Sequence, residues 1–414
     1  MAPVLIAILS LTVLGIPIVL ALDRDAGPLR ILGLAFLYGT GAIHFVLLAL
    51  SVLHVRWSLI TVTVAAILVV LPFTKSLSTQ HSALSTQLHI IDLFTLATPL
   101  GYALFATIAP LWEWDFWAIW GLKARVFLDH GGIDWRFLTS PWNTFVHPDY
   151  PLLVPLVYDF AALVNGGWDD RWLGLLGVAW ALAFLLVARD LAAAEARPFA
   201  AALIAFALSP LAVSVSHFVG LAEGALIAYG GAGLLFLRRG DDRHGAILLG
   251  LAACTKNEGL ALIVSAAIAV AIVDVKRVVR LWPAAAVALP WLVLRALHRL
   301  PTDVVSGPLL ARLGARLHES RMIFALLIQN LYQPWLWAAI LFGILFVWKR
   351  ERFMLIACGL QLAFYVAAYF VTPRDVEWHI ATSWPRLTVQ IAAPLAYAVM
   401  VELARHAEAR SEQQ

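Results

Sequence analysis

The chain has 414 residues, of which 62% are hydrophobic and 13% are charged, and its mean hydropathy is +0.85. Soluble domains carry about 25% charged residues, so this composition excludes an ordinary soluble protein. A net charge of only +3 gives no reason to expect a nucleic-acid partner. The two cysteines, Cys254 and Cys358, lie in apolar segments and are too few for a disulfide framework or a metal cluster.

Apolar stretches of about 20 residues, the length needed to cross a bilayer, recur along the whole chain. They are rich in Ala, Leu and Val with scattered Gly, as expected of helices that pack closely in lipid. No basic segment precedes the first stretch, so we expect a retained span rather than a signal peptide. The sequence therefore predicts an all-α polytopic membrane protein with about 11 transmembrane helices. The predicted spans are 3–21, 31–53, 57–73, 93–111, 172–189, 199–216, 220–237, 281–297, 332–348, 353–371 and 385–405.

Short loops rich in Lys and Arg mark the cytoplasmic side of a membrane protein. With three such loops placed inside, 112–171, 217–220, 298–331 and 372–385 all fall on the outer side, and 150–165 becomes a short helix at the interface. The polar segments of the chain are therefore predicted to converge on one face. The basic loops carry Arg238, Arg239, Arg243, Lys276, Arg277, Arg280, Lys349, Arg350 and Arg352.

The apolar stretch 245–273 lies between two of these basic loops and is broken by the polar run from Thr255 to Gly259. If both ends are cytoplasmic, the stretch cannot be one simple span, and a re-entrant pair of half-helices with the polar break at its tip fits better. Irregular backbone at membrane depth is tolerated only where it is buried in protein or lines a wet cavity. One long helix passing straight through the membrane is the alternative.

The segment 112–151 is polar and rich in Trp, which suits a shelf at the bilayer surface. Within it, Glu113 and Asp115 are two residues apart, so they point to different sides of a helix but share a face in an extended chain. A partly buried carboxylate can act as a general base, because desolvation raises its pKa toward the working range. The alternative is an acidic patch solvated by lipid headgroups.

Three further ionisable residues lie within apolar sequence. Glu223 opens a predicted span, where an acid needs a partner, a cation or a proton. An acid favoured there by the helix dipole is the alternative. Lys256 and Glu258 lie in the 245–273 stretch, where the lysine should pair with a carboxylate or a lipid phosphate. An ion pair of Lys256 with Glu258 or Glu223 that only holds helices together is the structural alternative.

The remaining candidates lie in the outer segments. His147 and Tyr150 belong to the run HPDYPLLVP, whose prolines favour a turn and then a helix start, and either side chain could contact a phosphate or a sugar. Arg312 and Arg316 are four residues apart, hence on one helix face, and suit forked recognition of phosphate or snorkelling to lipid headgroups. Arg386 begins the last predicted span, where a cation could reach a lipid phosphate.

Taken in order, these motifs resemble the GT-C superfamily of polytopic, lipid-linked glycosyltransferases, and most of all the bacterial aminoarabinose-transferase and protein O-mannosyltransferase type. The likeness covers residues 93–405 and rests on the order of the motifs. Three features depart from the family: extra N-terminal spans, a spaced rather than adjacent acidic pair, and no large soluble C-terminal domain. The matching motifs are Glu113-Trp114-Asp115, Tyr150-Pro151-Leu152, Arg171, Glu223, Gly250-Leu251-Ala252 with Thr255-Lys256, and Arg386.

The resemblance implies a GT-C-like bundle with N-terminal helices in 1–92 and a transmembrane catalytic domain in 93–405. Juxtamembrane helices would form in the outer loop 112–171, and 406–414 would be a cytoplasmic tail. It further implies a bacterial inner-membrane enzyme whose active site faces the periplasm. Such an enzyme moves a sugar, with inversion, from a polyprenyl-phosphate donor to a hydroxyl of a lipid or glycan acceptor among the membrane lipids.

The resemblance also implies roles for individual residues. Asp115 is expected to act as the general base, with Glu113 and Glu223 orienting the acceptor or holding a cation, although either acid of the pair could be the base. A divalent cation, Mg²⁺ or Mn²⁺, could be held by Asp115 and Glu223, because some family members use one and others do not. The residues expected to bind the donor phosphate are Lys256, Arg386, Arg312, Arg316 and His147, and those expected to shape the substrate site are Tyr150, Trp114, Glu258 and His379.

Two other classes of protein would also need charges, aromatic residues and broken helices in a membrane. A transporter or flippase for a lipid-linked saccharide is the first, but the sequence has no obvious repeat and its polar residues are predicted on one side rather than at mid-membrane. A polysaccharide polymerase or ligase, which uses similar lipid-linked substrates, is the second.

Overall fold

The computed structural model describes residues 1–78, 88–109, 111–213, 220–302 and 309–412. Within these ranges every regular element is helical. The α-helices are α1 (Ala2–Leu22), α2 (Pro28–Val52), α3 (Leu59–Val70), α4 (Ile90–Ile108), α5 (Gly121–His130), α6 (Trp135–Thr139), α7 (Leu153–Asn165), α8 (Gly174–Ala193), α9 (Pro198–Val213), α10 (Glu223–Leu226), α11 (Ala232–Arg238), α12 (Asp242–Ala253), α13 (Asn257–Asp274), α14 (Trp282–Leu297), α15 (Leu309–His318), α16 (Ser320–Gln329), α17 (Pro334–Val347), α18 (Arg352–Val371) and α19 (Val376–Ser411).

The protein is an all-helical, polytopic membrane protein. In the described ranges, 7 stretches of helix are long and apolar enough to cross a membrane, or 8 if α16 and α17, bent by 99° at their junction, count as one broken span. These stretches are Ala2–Leu22, Pro28–Val52, Ile90–Ile108, Asp170–Ala193, Asn257–Leu297, Arg352–Val371 and Val376–Ser411.

The predicted count of about 11 spans is not confirmed, because several predicted apolar stretches contain helices shorter than the length needed to cross a membrane. Three predicted spans, 57–73, 199–216 and 332–348, contain α-helices of 12, 16 and 14 residues. A fourth, 220–237, is divided by a π-helical turn at Ile227–Gly231. The predicted cytoplasmic tail, 406–414, is helical as far as Ser411, where α19 ends, and its side of the membrane stays a prediction. Residues 214–216 of one predicted span and 217–219 of one predicted outer loop lie outside the described ranges.

Ion pairs connect the helix ends that lie next to the basic loops. Arg238, at the end of α11, reaches Glu351 before α18 at 2.6 Å and Glu195 after α8 at 2.8 Å. Arg277, just beyond α13, pairs with Asp242 at the start of α12 at 2.6 Å. We call this side of the bundle the basic end. These contacts bring together loops that the charge pattern assigned to one side of the membrane.

The helices α12 and α13 form a hairpin. The Arg277–Asp242 pair holds the start of α12 beside the end of α13, so the chain must reverse at the break between Ala253 and Asn257. The two arms approach closely there, because a Cβ atom on Gly259 would lie 2.3 Å from the carbonyl oxygen of Ala252. The predicted polar break is therefore present at the tip of a folded-back pair, and a single straight helix is excluded.

The segment between α4 and α8 lies at the opposite end from the basic loops. It contacts the end of α2, where the amide of Trp57 donates to the carbonyl of Gly131 at 2.8 Å and the amide of Ile133 donates to Ser51 Oγ at 3.0 Å. The predicted short helix at 150–165 is present as α7, and it packs against α1, α2 and α5. This segment brings Asp115 to the site described next.

Candidate functional site

Five ionisable side chains from four separate parts of the chain form one cluster, which we call the charge cluster: Asp115, Glu223, Lys256, Glu258 and Arg386. Arg386 Nη1 lies 2.7 Å from Asp115 Oδ2 and 3.6 Å from Glu223 Oε1. Lys256 Nζ lies 2.9 Å from both Glu223 Oε1 and Glu258 Oε1. Buried charges are stable only when paired, and here each cation bridges two acids.

Asp115 and Arg386 come from opposite ends of the sequence. Asp115 lies in the first turn of a helix that begins at Trp114 and continues through a π-helical turn, Phe116–Trp120, into α5. Arg386 lies in α19, and Trp384 anchors that part of the helix by donating from Nε1 to the carbonyl of Leu327 at 2.8 Å. The side chain of Asp115 is 24% exposed and that of Arg386 is 16% exposed, so both are partly accessible from outside the cluster.

Glu223 is the most buried acid of the cluster, with a side chain 1% exposed. The chain reaches it through Gly220, whose φ of 95° suits glycine. A Cβ atom on Gly220 would lie 2.7 Å from Cβ of Phe116, the residue after Asp115. This glycine therefore lets the backbone before Glu223 pack directly on the helix that carries Asp115.

Lys256 lies in the hairpin tip, immediately before α13. Its backbone is extended, with φ −149° and ψ 158°, and its ammonium group bridges Glu223 and Glu258. Among the described residues, Glu223 Oε2 and Glu258 Oε2 are buried without a hydrogen-bond donor. A buried acceptor without a donor is costly, so these two oxygens suit hydroxyl groups of a bound substrate.

The geometry does not favour the predicted divalent cation between Asp115 and Glu223. The Arg386 guanidinium already lies between these two carboxylates. Within the described ranges, no group of three or more His, Cys, Asp and Glu side chains is arranged to hold a metal ion. The cluster contains three acids and two cations, so one net negative charge remains within it.

The sequence interpretation missed Asp149, whose side chain is 2% exposed. Asn257 Nδ2 donates to Asp149 Oδ2 at 2.9 Å, and Arg295 Nη2 lies 3.5 Å from the same oxygen. Four residues further along the chain, the amide of Leu153 donates to the carbonyl of Cys254 at 2.9 Å. The outer segment is thereby fastened to both sides of Lys256 in the hairpin tip.

A second missed residue, Lys123, is fully buried beside the cluster. Its Nζ donates to the carbonyl of His147 at 2.7 Å and lies 5.6 Å from the centre of the Trp120 ring and 5.8 Å from that of Tyr150. Burial lowers the pKa of Lys123 to about 7, although the nearby Asp149 acts in the opposite direction. Unlike Lys256, this lysine is therefore close to losing its charge at neutral pH.

Tyr150 joins these groups to the charge cluster. Its ring stacks on His147 with centroids 4.6 Å apart and on Trp120 at 5.6 Å. Burial raises the pKa of Tyr150, and the negative charges of Glu258, Asp149 and Asp115 raise it further. The phenol is therefore a neutral group near the acids, and its role in shaping a substrate site stays a prediction.

The other predicted residues are placed around the cluster. Glu113 is half-buried just before the helix of Asp115, and Trp114 is 74% exposed. His379 Nδ1 lies 2.9 Å from Thr372 Oγ1. Arg316 pairs with Glu319 at 2.5 Å and donates to the carbonyl of Arg374 at 3.3 Å.

The backbone carbonyl of His147 accepts a hydrogen bond from Lys123, and its ring stacks on Tyr150. Its φ of 49° marks a tight turn. Arg312 is half-buried on α15, on the same helix as Arg316. The predictions that His147, Arg312 and Arg316 bind the donor phosphate therefore remain predictions.

The chain matches no family model, and no similar curated protein or solved structure was found.

Proposed function

We propose that this protein is an inverting glycosyltransferase that moves a sugar from a polyprenyl-phosphate donor to a hydroxyl of a lipid or glycan acceptor at the outer face of the bacterial inner membrane. The observation that carries the proposal is the charge cluster. It combines a partly exposed carboxylate, Asp115, with two cations, Arg386 and Lys256, at the end of the bundle opposite the basic loops. Charges buried in a membrane protein are expensive and mark functional sites.

Asp115 is the proposed general base. Its carboxylate takes the proton of the acceptor hydroxyl, and the hydroxyl oxygen forms a bond to the anomeric carbon from the face opposite the phosphate. The bond from that carbon to the phosphate oxygen breaks, and its electron pair leaves with the lipid phosphate. One base suffices, because a phosphate leaves without needing a proton from the protein.

Arg386 and Lys256 are the proposed stabilisers of the departing phosphate. Both cations are held by acids, so the cluster is preorganised and needs little rearrangement when negative charge develops on the leaving group. Since the cluster has an excess of acids, its overall field does not attract an anion, and recognition depends on direct contact with these two side chains. A guanidinium group is well suited to phosphate because its donors form a planar fork.

A change of partner at Arg386 links donor binding to catalysis in this proposal. Asp115 Oδ2 accepts from Arg386 Nη1 at 2.7 Å, so this oxygen must lose that contact before it can take a proton. A donor phosphate competes for the same guanidinium group and frees Asp115 for the acceptor hydroxyl. Two carboxylate oxygens, Glu223 Oε2 and Glu258 Oε2, are buried without a hydrogen-bond partner among the described residues. In this proposal they accept hydrogen bonds from hydroxyl groups of either substrate and so orient it.

The test is incubation of the purified protein in lipid nanodiscs with a radiolabelled polyprenyl-phosphate sugar and a panel of lipid and glycan acceptors. Release of free polyprenyl phosphate together with labelled acceptor supports the proposal. Movement of the intact donor across a vesicle membrane without its cleavage would instead favour a flippase. Release of a lipid diphosphate from a diphosphate-linked glycan would favour a polymerase or ligase.

A further inference from the structure

The outer run around Asp149 and the hairpin tip around Lys256 share two direct hydrogen bonds. Asn257 Nδ2 donates to Asp149 Oδ2 at 2.9 Å, and the amide of Leu153 donates to the carbonyl of Cys254 at 2.9 Å. These contacts lie on either side of Lys256 along the chain. Arg295 of α14, 3.5 Å from Asp149 Oδ2, compensates the charge of the buried carboxylate.

We propose that Asp149 is a positioning residue that sets the place of the Lys256 ammonium group through Asn257. Asp149 is buried and is separated from Asn257 by 108 residues, so the contact is a tertiary one that the hairpin does not make by itself. Asn257 is the first residue of α13, and Lys256 directly precedes it in extended conformation. Moving Asn257 therefore moves the residue whose ammonium group must reach Glu223 and Glu258 together.

The energetic reason is the strict geometry of a bridging cation. Lys256 Nζ is 2.9 Å from two carboxylates, and a displacement on the order of 1 Å would leave at least one of them buried without its cation. A lysine side chain has four flexible methylene groups and does not hold such a position unaided. The charge-assisted bond from Asn257 to Asp149 removes this freedom at the backbone.

This role rests on the proposed glycosyl transfer for its effect on turnover, but the position of Lys256 can be measured without activity. The variant Asn257→Asp sets two carboxylates against each other at the contact. The double variant Asp149→Asn/Asn257→Asp restores a donor facing an acceptor in the reversed direction and leaves the net charge of the contact unchanged. Asp149→Ala removes the acceptor without adding a charge and serves if Asn257→Asp does not fold. Asp129→Asn, an exposed acid on α5, is the matched control.

The first readout is the rate at which an amine-reactive reagent modifies Lys256 in nanodiscs, followed by mass spectrometry. We expect modification to be about 10-fold faster in Asn257→Asp or Asp149→Ala and to return to the wild-type rate in the double variant. Lys276, which is exposed at the basic end, should react at one rate in all variants. Equal modification of Lys256 in the wild type and Asn257→Asp, or no recovery in the double variant, would overturn the proposal.

The second readout is transfer kinetics. We expect Asn257→Asp to lower kcat by about 10- to 100-fold with a smaller change in the donor KM, since Lys256 acts mainly on the charge that develops in the transition state. The double variant should recover most of the loss. If the wild type transfers no sugar, the proposed function fails while the modification pattern still decides the role of Asp149. If transfer occurs and Asn257→Asp leaves both readouts unchanged, the positioning role fails alone.

Discussion

Arg386 donates to the Asp115 carboxylate at 2.7 Å across 271 residues of sequence. The pair joins the outer segment after α4 to the last helix, and the same guanidinium group lies 3.6 Å from Glu223. One side chain therefore connects the proposed base to the rest of the charge cluster.

Asp115→Asn should abolish transfer while the protein stays folded. The amide keeps the size of the side chain but cannot accept the acceptor proton, and loss of a general base costs about 10²- to 10⁴-fold in rate. The measurement is the single-turnover rate of lipid phosphate release, with thermal unfolding in detergent as a check on folding. Asp129→Asn is the control and should be fully active. Full activity of Asp115→Asn would remove Asp115 from the mechanism.

Lys256→Gln should destabilise the protein by up to about 3–5 kcal/mol, because it removes the cation shared by the buried Glu223 and the half-buried Glu258. Arg386, 3.6 Å from Glu223, compensates only part of this loss. The double variant Glu223→Gln/Lys256→Gln should lose much less stability in total than the sum of the losses of the two single variants, since the two residues form one interaction. Unfolding midpoints in detergent provide the four corners of this double-mutant cycle. Additive losses would mean that the observed ion pair contributes nothing.

Lys123 should make stability depend on pH above neutrality. Its folded-state pKa of about 7 lies below the ordinary value of 10.5, so the unfolded chain binds one more proton between these two values. Stability is therefore full above about pH 10.5, falls by up to about 1.4 kcal/mol per unit as the pH decreases, and levels off below about pH 7. Unfolding of the wild type and Lys123→Met should be compared from pH 6.5 to 10. A difference between them that does not change with pH would contradict the prediction.

Arg238→Gln should reduce stability without impairing the chemistry. Arg238 is 8% exposed and pairs with Glu195 and Glu351 at the basic end. Its loss leaves the buried Glu351 without this cation, whereas Glu195 keeps Arg239 at 2.9 Å. We expect a lower unfolding midpoint, together with an unchanged kcat for the fraction that remains folded. This variant matches Lys256→Gln in kind, and a selective fall in its kcat would show that ion-pair loss anywhere in the bundle disables the site.

Gly220→Ala should affect the site more than Gly240→Ala. Both glycines have positive φ values, 95° and 84°, so both alanine variants carry a backbone cost of about 1 kcal/mol. Only at Gly220 would the new Cβ also meet Phe116, at 2.7 Å, whereas Gly240 has open space. Transfer rate and unfolding midpoint of the two variants should differ accordingly. Equal effects would mean that the contact with Phe116 is not needed to join Glu223 to Asp115.

The sequence identifies those site residues whose charge contrasts with their surroundings. Glu223, Lys256 and Glu258 stand in apolar sequence, and the structure joins all three. Asp149 could not be singled out in this way, because it lies among many other polar residues, and its partner Asn257 carries no charge. Burial and pairing across 108 residues distinguish it, and neither can be read from local sequence.

The fold shows the same limit. Apolar stretches predict that helices cross the membrane, and the polar break at 255–259 predicts the hairpin, since both depend on local sequence. The count of about 11 spans is not confirmed, because a π-helical turn such as Ile227–Gly231 divides apolar sequence without changing its hydropathy. The 99° bend between α16 and α17 lies at 330–333, a break that contains Asn330 and Gln333, and the predicted span 332–348 begins inside it. Tertiary packing decides these features.

The position of Arg386 in the last helix has a consequence for biosynthesis. A ribosome delivers Asp115 and Glu223 to the membrane long before it delivers the arginine that lies between them. Until α19 has inserted, the partly synthesised chain holds acids that lack this partner, and the proposed base and phosphate contact cannot coexist. Under the proposed function, a chain truncated before α19 would therefore lack the guanidinium group that contacts the donor phosphate and would transfer no sugar.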